Sequence, residues 1–157
     1  MSGQLPTSPV ARNANVASEQ NTIVSVTTSG RVQARQIDGQ KFRMTLTYPP
    51  MTRAEFAPIK AFLMKQRSRL NTFTVIPPTI SNALGTAAGT PTGTASAGDT
   101  SITLGGTGTG TLKAGDYIKF DNHDKVYMVV EDQSDISTGT LTIEPPLRSA
   151  VSSTDII

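Results

Sequence analysis

Between residues 41 and 48 the chain alternates. Phe42, Met44, Leu46 and Tyr48 are apolar, and Lys41, Arg43, Thr45 and Thr47 are polar, the period of two expected of a strand with one apolar face. Pro49 and Pro50 end it, because neither offers an N–H to a sheet ladder. Thr52 and Glu55 then have the spacing of a capping box, with Met51 and Phe56 as a hydrophobic staple, so a helix is predicted over residues 52–70. At about 100° per residue, Phe56, Ile59, Phe62, Leu63, Gln66 and Leu70 gather on one side. Arg53, Lys60 and Arg67 line one flank, and Lys65 and Arg69 the far side. Pro58 either kinks this helix or marks where it properly begins. Asn71 stops it, and residues 72–76, with Phe73 and Val75 on one side, return as a strand closed by Pro77 and Pro78.

Upstream, residues 22–28 (TIVSVTT) and 32–37 (VQARQI) read as short strands separated by Ser29 and Gly30. A second turn follows at Asp38 and Gly39. A two-residue turn there would set Arg35 opposite Phe42 and mix polar with apolar on both faces. A three-residue loop of Ile37, Asp38 and Gly39, with Gly39 at positive φ in a bulge, puts Ala34 opposite Phe42 and Val32 opposite Met44. On that reading Arg31, Arg35, Lys41 and Arg43 share the outer face of the hairpin.

Downstream the pattern changes. Residues 84–97 are Gly, Ala, Thr and Ser with almost nothing large to bury, which reads as a linker or long loop. Strands are predicted at residues 100–104, 117–120, 125–130 and 138–143, with a turn-rich GGTGTGT loop at 105–111 and turns rich in Gly, Pro and Asp. This is the pattern of a small barrel or sandwich. Residues 152–157 can add one more strand that pairs elsewhere in the chain or with a neighbour.

The expected fold is therefore mainly β: an N-terminal β-sheet or sandwich module with one packed α-helix, plus a small C-terminal β-barrel-like module. The expected boundaries are a flexible N-terminal arm at 1–21, the first module at 22–80, a linker at 81–99 and the second module at 100–157.

Composition narrows the function. A hydrophobic content of 36% with 17% charged residues suits one modest core or two small ones in 157 residues, and no run approaches the length of a membrane span. Cysteine is absent, which excludes disulfides and thiolate metal sites. The net charge of +2 hides an uneven distribution. Arg31, Arg35, Lys41, Arg43, Arg53, Lys60, Lys65, Arg67 and Arg69 face only Asp38 and Glu55 in their stretch, while the second half carries most of the acid. A cationic surface of this kind meets an acidic protein partner or nucleic acid, or is a solvated face.

No catalytic or cofactor set emerges. The glycine-rich 105–111 stretch lacks the following helix and the Lys-Ser/Thr pair of a phosphate loop. Asp121, Asn122, His123 and Asp124 crowd potential metal ligands into one turn, but the spacing and terminal glutamate of an EF-hand are missing, so an Asx-rich hairpin turn is the reading taken. His123 is the sole histidine, leaving any His-based triad or zinc pair without partners. Glu131, Asp132 and Asp135 follow a strand as a polar turn.

The segment TLTYPPMTRAEFAPIKAFLMKQRSRLNTFTVIPP, followed by LKAGDYIKF and LTIEPPLRSAV, resembles minor tail proteins of long-tailed bacteriophages, of the distal-tail type also found in gene transfer agents. The resemblance spans roughly Val26 to Val151. It implies a structural virion component at the distal end of the tail, made in the host cytoplasm. Such a subunit joins a homo-oligomeric ring, usually a hexamer, between the tail tube protein and the baseplate hub or tip proteins, with at most passive contact with DNA in the lumen and none with membrane. No cofactor is implied. Arg31, Arg35, Lys41, Arg43, Arg53, Lys60 and Arg67 are then the candidate protein-interface residues. The competing expectation is a host-surface carbohydrate-binding β module, for which the second half offers only Tyr117, Phe120 and Tyr127 as stacking aromatics and the chain has no Trp.

Overall fold

The computed structural model describes residues 3–67, 70–78 and 80–157, with the Asp38 side chain outside that description. The chain divides into two units, Met1–Asn82 and Ala83–Ile157.

In the first unit, β1 (Asn13–Val26) and β2 (Val32–Thr47) form a long antiparallel ribbon. Its turn lies at Ser29 and Gly30, as the sequence places it. Gly30 takes φ +78°, and the Thr27 N–H donates to the Arg31 carbonyl at 2.9 Å. The second hairpin expected at Ile37, Asp38 and Gly39 does not form. Gly39 does adopt positive φ (+108°), but as part of a bulge inside a continuous β2, where the pairing moves from Lys41 opposite Glu19 to Ile37 opposite Asn21. Phe42 therefore faces Ser18 and Met44 faces Val16, while Ala34 faces Val24 and Val32 faces Val26.

The cause is the stretch expected to be a flexible arm at 1–21. Residues from Asn13 onward supply the partner strand for residues 41–47, and the Leu5 N–H donates to the Thr74 carbonyl at 2.9 Å. Its small and polar side chains hid a strand whose stability comes from the ladder rather than from periodicity. Of the strand expected at 72–76, a single parallel bridge between Gln4 and Thr74 is present.

Helix α1 (Arg53–Lys65) begins at the predicted cap. The Thr52 hydroxyl accepts from the Glu55 N–H at 3.5 Å, and the Glu55 carboxylate accepts from the Thr52 N–H at 2.8 Å. The Thr52 N–H and the Thr52 hydroxyl, which donates to the same carboxylate at 2.8 Å, hold the Glu55 carboxyl below its ordinary range. The helix runs through Pro58 rather than starting there, and it ends five residues before the expected Leu70. Arg67, at φ +52°, breaks it, and the Asn71 N–H closes on the Gln66 carbonyl at 3.3 Å. Arg69 lies outside the described residues. The packed side is narrower than predicted: Ile59 and Gln66 are buried and Phe62 meets Phe73 edge-on at 5.3 Å, while Phe56, Leu63 and Leu70 are exposed.

The second unit is a five-stranded curled sheet in the order β3 (Ala88–Thr94), β4 (Ser101–Thr109), β7 (Thr140–Glu144), β6 (Val126–Val129) and β5 (Tyr117–Lys119). Alternate residues point inward: Ile102 and Leu104, Leu141 and Ile143, Tyr127 and Val129, and Ile118 all join one buried cluster with Phe120, Ile136 and Leu147. The residues nearest the terminus link the two edge strands. The Ile157 N–H donates to the Pro91 carbonyl at 3.0 Å, and the Asp121 N–H to the Ile156 carbonyl at 3.1 Å, so the expected extra strand pairs within the chain as isolated bridges.

Two expectations are corrected here. The linker at 81–99 is part of this unit, with β3 at its centre, and the loop at 105–111 belongs largely to β4. Both are Gly-rich because the strands approach closely. A Cβ on Gly108 would stand 2.9 Å from Ile136 and Pro91, and one on Gly89 would stand 2.6 Å from the Thr107 carbonyl oxygen.

Candidate assembly surface

The basic residues singled out from the sequence all lie in the first unit, and all seven are exposed. Along β2, Arg35, Lys41 and Arg43 stand opposite Ile23, Glu19 and Ala17, which places them on one face of the ribbon by register. Arg31 sits just before β2, where its N–H donates to the Thr27 hydroxyl at 3.1 Å. Arg43 forms an ion pair with Glu19 at 3.0 Å, with 71% and 48% of the two side chains exposed, so the pair itself contributes little. On α1, Arg53 and Lys60 line an open groove together with Phe56, Ala57, Ala61 and Met64. Arg67 follows beyond the last helical turn.

The opposite face of the ribbon is apolar. Its base is packed, with Ala14 buried and Val16, Phe42 and Leu46 half-buried. Toward the turn nothing among the described residues of this unit covers it: Val24, Val26 and Val32 are 59%, 64% and 63% exposed. Two paired strands alone are marginal in water, and both edges of this ribbon are open among the described residues. The sequence reading missed this patch because it spread these residues over two hairpins. Pairing Val24 and Val26 with Ala34 and Val32 required knowing that β1 is continuous.

The two units differ sharply in how they use apolar residues. Among the described residues of the first, Leu5, Ala11, Ala14 and Ile59 are the buried apolar ones, and twelve large apolar side chains are exposed. In the second, twelve buried residues form one cluster, and Leu84, Val126 and Ile156 are the exposed large ones. Charge follows the same division. Met1–Asn82 carries ten basic and three acidic residues, a net of +7, and Ala83–Ile157 carries four basic and nine acidic, a net of −5.

Other sequence candidates fall into structural roles. The Asp121 carboxylate accepts from the Ile156 N–H at 3.1 Å, and Asp124 pairs with Lys119 at 2.7 Å, a bond that holds the Asp124 carboxyl low. Among the described residues no group of His, Cys, Asp or Glu is arranged to hold a metal. Asp132 accepts from the Lys113 ammonium and the Ala114 N–H, and Asp135 from Ser137, so these carboxylates order their own turns. Of the aromatics that a sugar would stack on, Phe120 and Tyr127 are fully buried and Tyr117 is half-buried. A cleft of about 200 Å³ at Leu5, Pro9, Leu46, Tyr48 and Ile76 is apolar and open.

Residues 80–155 match the family model described as distal tail protein pb9, B domain. That span coincides with the second unit. No curated protein matches the chain.

Proposed function

We propose that this chain, whose residues 80–155 match the distal tail protein B domain, is a non-enzymatic ring or adaptor subunit of a phage tail. In this reading it joins the end of the tail tube to the baseplate hub or tip, as a homo-oligomeric ring of six subunits. Its lumen passes DNA with no specific contact.

The observation that carries the proposal is the imbalance of the first unit: among its described residues four apolar side chains are buried and twelve large ones exposed, in a unit with a net charge of +7. A monomer with that surface has a strong drive to associate, since each apolar side chain removed from water contributes about 1.5–3 kcal/mol. A ring repeats one heterologous contact, so modest contacts per subunit add up to a closed assembly without free sheet edges. The basic residues of β2 and α1 select acidic neighbours and speed their encounter.

Light scattering at micromolar concentration and negative-stain microscopy test this reading. The expected result is a closed ring. A protein that stays monomeric and is absent from assembled tails would overturn it.

A further inference from the structure

The seam of the second unit is built around the chain's sole histidine. Residues 121–124 join β5 to β6, and they also hold the segment that links the two edge strands. The Asn122 amide nitrogen donates to the Ala150 carbonyl at 3.1 Å and to the Asp155 carboxylate at 3.2 Å. Asp121 and Ile156 exchange two bonds, each 3.1 Å. Beside them the His123 ring stacks on Phe120 at 5.9 Å and meets Tyr127 edge-on at 5.6 Å.

The hydrogen bonds and the burial of that ring together favour its neutral form. Tyr127 is fully buried, and its hydroxyl oxygen accepts from the Arg148 N–H at 2.9 Å. That hydroxyl lies 2.7 Å from His123 Nε2, to which it donates when the ring is neutral, while His123 Nδ1 bonds to the Asn122 side-chain oxygen. An amide oxygen only accepts, so Nδ1 carries the hydrogen, and burial of the ring beside Arg148 disfavours a second proton on Nε2. A second proton on Nε2 makes that nitrogen a donor and turns the Tyr127 O–H away from its acceptor inside the core, where an unpaired polar group is costly.

The charges around the ring come from three directions. Arg148, on the segment after β7, and Lys119, on β5, oppose a positive imidazole; Asp155 and Asp124 favour one, and Asp124 is already engaged by Lys119. Lys125 lies in the same field of Arg148. Burial, with Arg148 second, holds His123 below its ordinary range.

We propose that His123 is an acid-sensitive latch on the barrel seam: neutral, it ties Asn122 and Tyr127 to residues 147–156, and protonated, it lets go of the segment that bridges β3 to β5. This does not depend on ring assembly. Because the folded value lies below the unfolded one, the latch is fully closed above about pH 6.5, loosens as pH falls through the folded value, and changes no further below it.

The test uses the full chain and the single histidine signal in nitrogen-detected NMR, together with amide exchange protection at Asp121, Ile156 and Ile157. The expected results are an Nδ1–H tautomer at neutral pH, a midpoint below 6.5, and protection that falls between pH 7 and 5. The fall should be about tenfold for each unit by which the midpoint is depressed. Tyr127→Phe should move the midpoint toward 6.5, and His123→Gln should make protection the same at both pH values. An Nε2–H tautomer, a midpoint at or above 6.5, equal protection of the native chain at pH 7 and 5, or a His123→Gln chain as acid-sensitive as the native one would overturn the proposal.

Discussion

The Leu84 N–H donates to the carboxylate of Asp116 at 2.6 Å, across 32 residues of chain. Asp116 is 3% exposed and also accepts from the Gly85 and Lys113 N–H groups at 3.0 and 2.8 Å. One buried carboxylate thus fastens the start of the second unit to the turn before β5. Asp116→Ala leaves three backbone donors without that acceptor and should cost the second unit about 3 kcal/mol. Urea unfolding followed by Tyr fluorescence measures this, and a loss under about 1 kcal/mol would mean that water replaces the carboxylate without penalty.

Close strand approach makes a second prediction. Gly106 has φ +87°, and a Cβ there would stand 2.7 Å from the Thr90 carbonyl oxygen on the paired strand. Gly106→Ala should destabilise the second unit by about 2–3 kcal/mol, from backbone strain and a clash that a rigid carbonyl cannot relieve. Gly98→Ala is the control, since it shares a positive φ (+92°) but has no atom within 4 Å. Equal thermal shifts for the two variants would show that packing against β3 adds nothing to the strain.

These glycines also explain which parts of the fold were legible. The capping box at Thr52, the turn at Gly30 and the alternation of Ile102 with Leu104 are local signals, and each stands where the sequence puts it. β3 was not legible, because Thr90, Thr92 and Thr94 read as linker until β4 is placed beside them, where the Thr90 and Thr107 hydroxyls bond at 2.8 Å. β1 failed in the same way. Ala14 and Val16 carry little periodicity alone, and their role appears only opposite Leu46 and Met44. The seven basic residues were legible as a group, but the apolar patch of Val24, Val26 and Val32 beside them depends on a register that no short window contains.

Chelator should leave the melting temperature of the chain unchanged. The carboxylates of residues 121–124 are occupied by Ile156 and Lys119 rather than turned toward a common centre. A loss of several degrees that calcium or another ion restores would show a metal contribution to folding, since a ligand bound only by the native state raises its stability by mass action.

The last prediction concerns the basic flank of α1. Arg53 and Lys60 line a groove with Phe56 and Met64, and Arg67 follows just beyond the helix, in a unit whose net charge is +7. If this flank meets an acidic rim on the tail tube or on the next ring subunit, reversing all three to Glu should leave the monomer folded, because each is exposed. Assembly should weaken most at low salt, where the reversed charges repel unscreened, and the difference should shrink as the Debye length falls to about 8 Å near physiological ionic strength. A second variant, Met64→Asp, separates charge from apolar contact: Met64 is 72% exposed, so its loss should weaken assembly at every salt concentration with little change in monomer stability. If the flank instead faces the lumen, the reversed protein should assemble normally and alter DNA ejection, through phosphate attraction that is independent of sequence. Sedimentation of the purified protein across a salt series, with infectivity of particles carrying each variant, distinguishes these cases. Normal assembly at every ionic strength together with normal infectivity would assign Arg53, Lys60 and Arg67 to a solvated face.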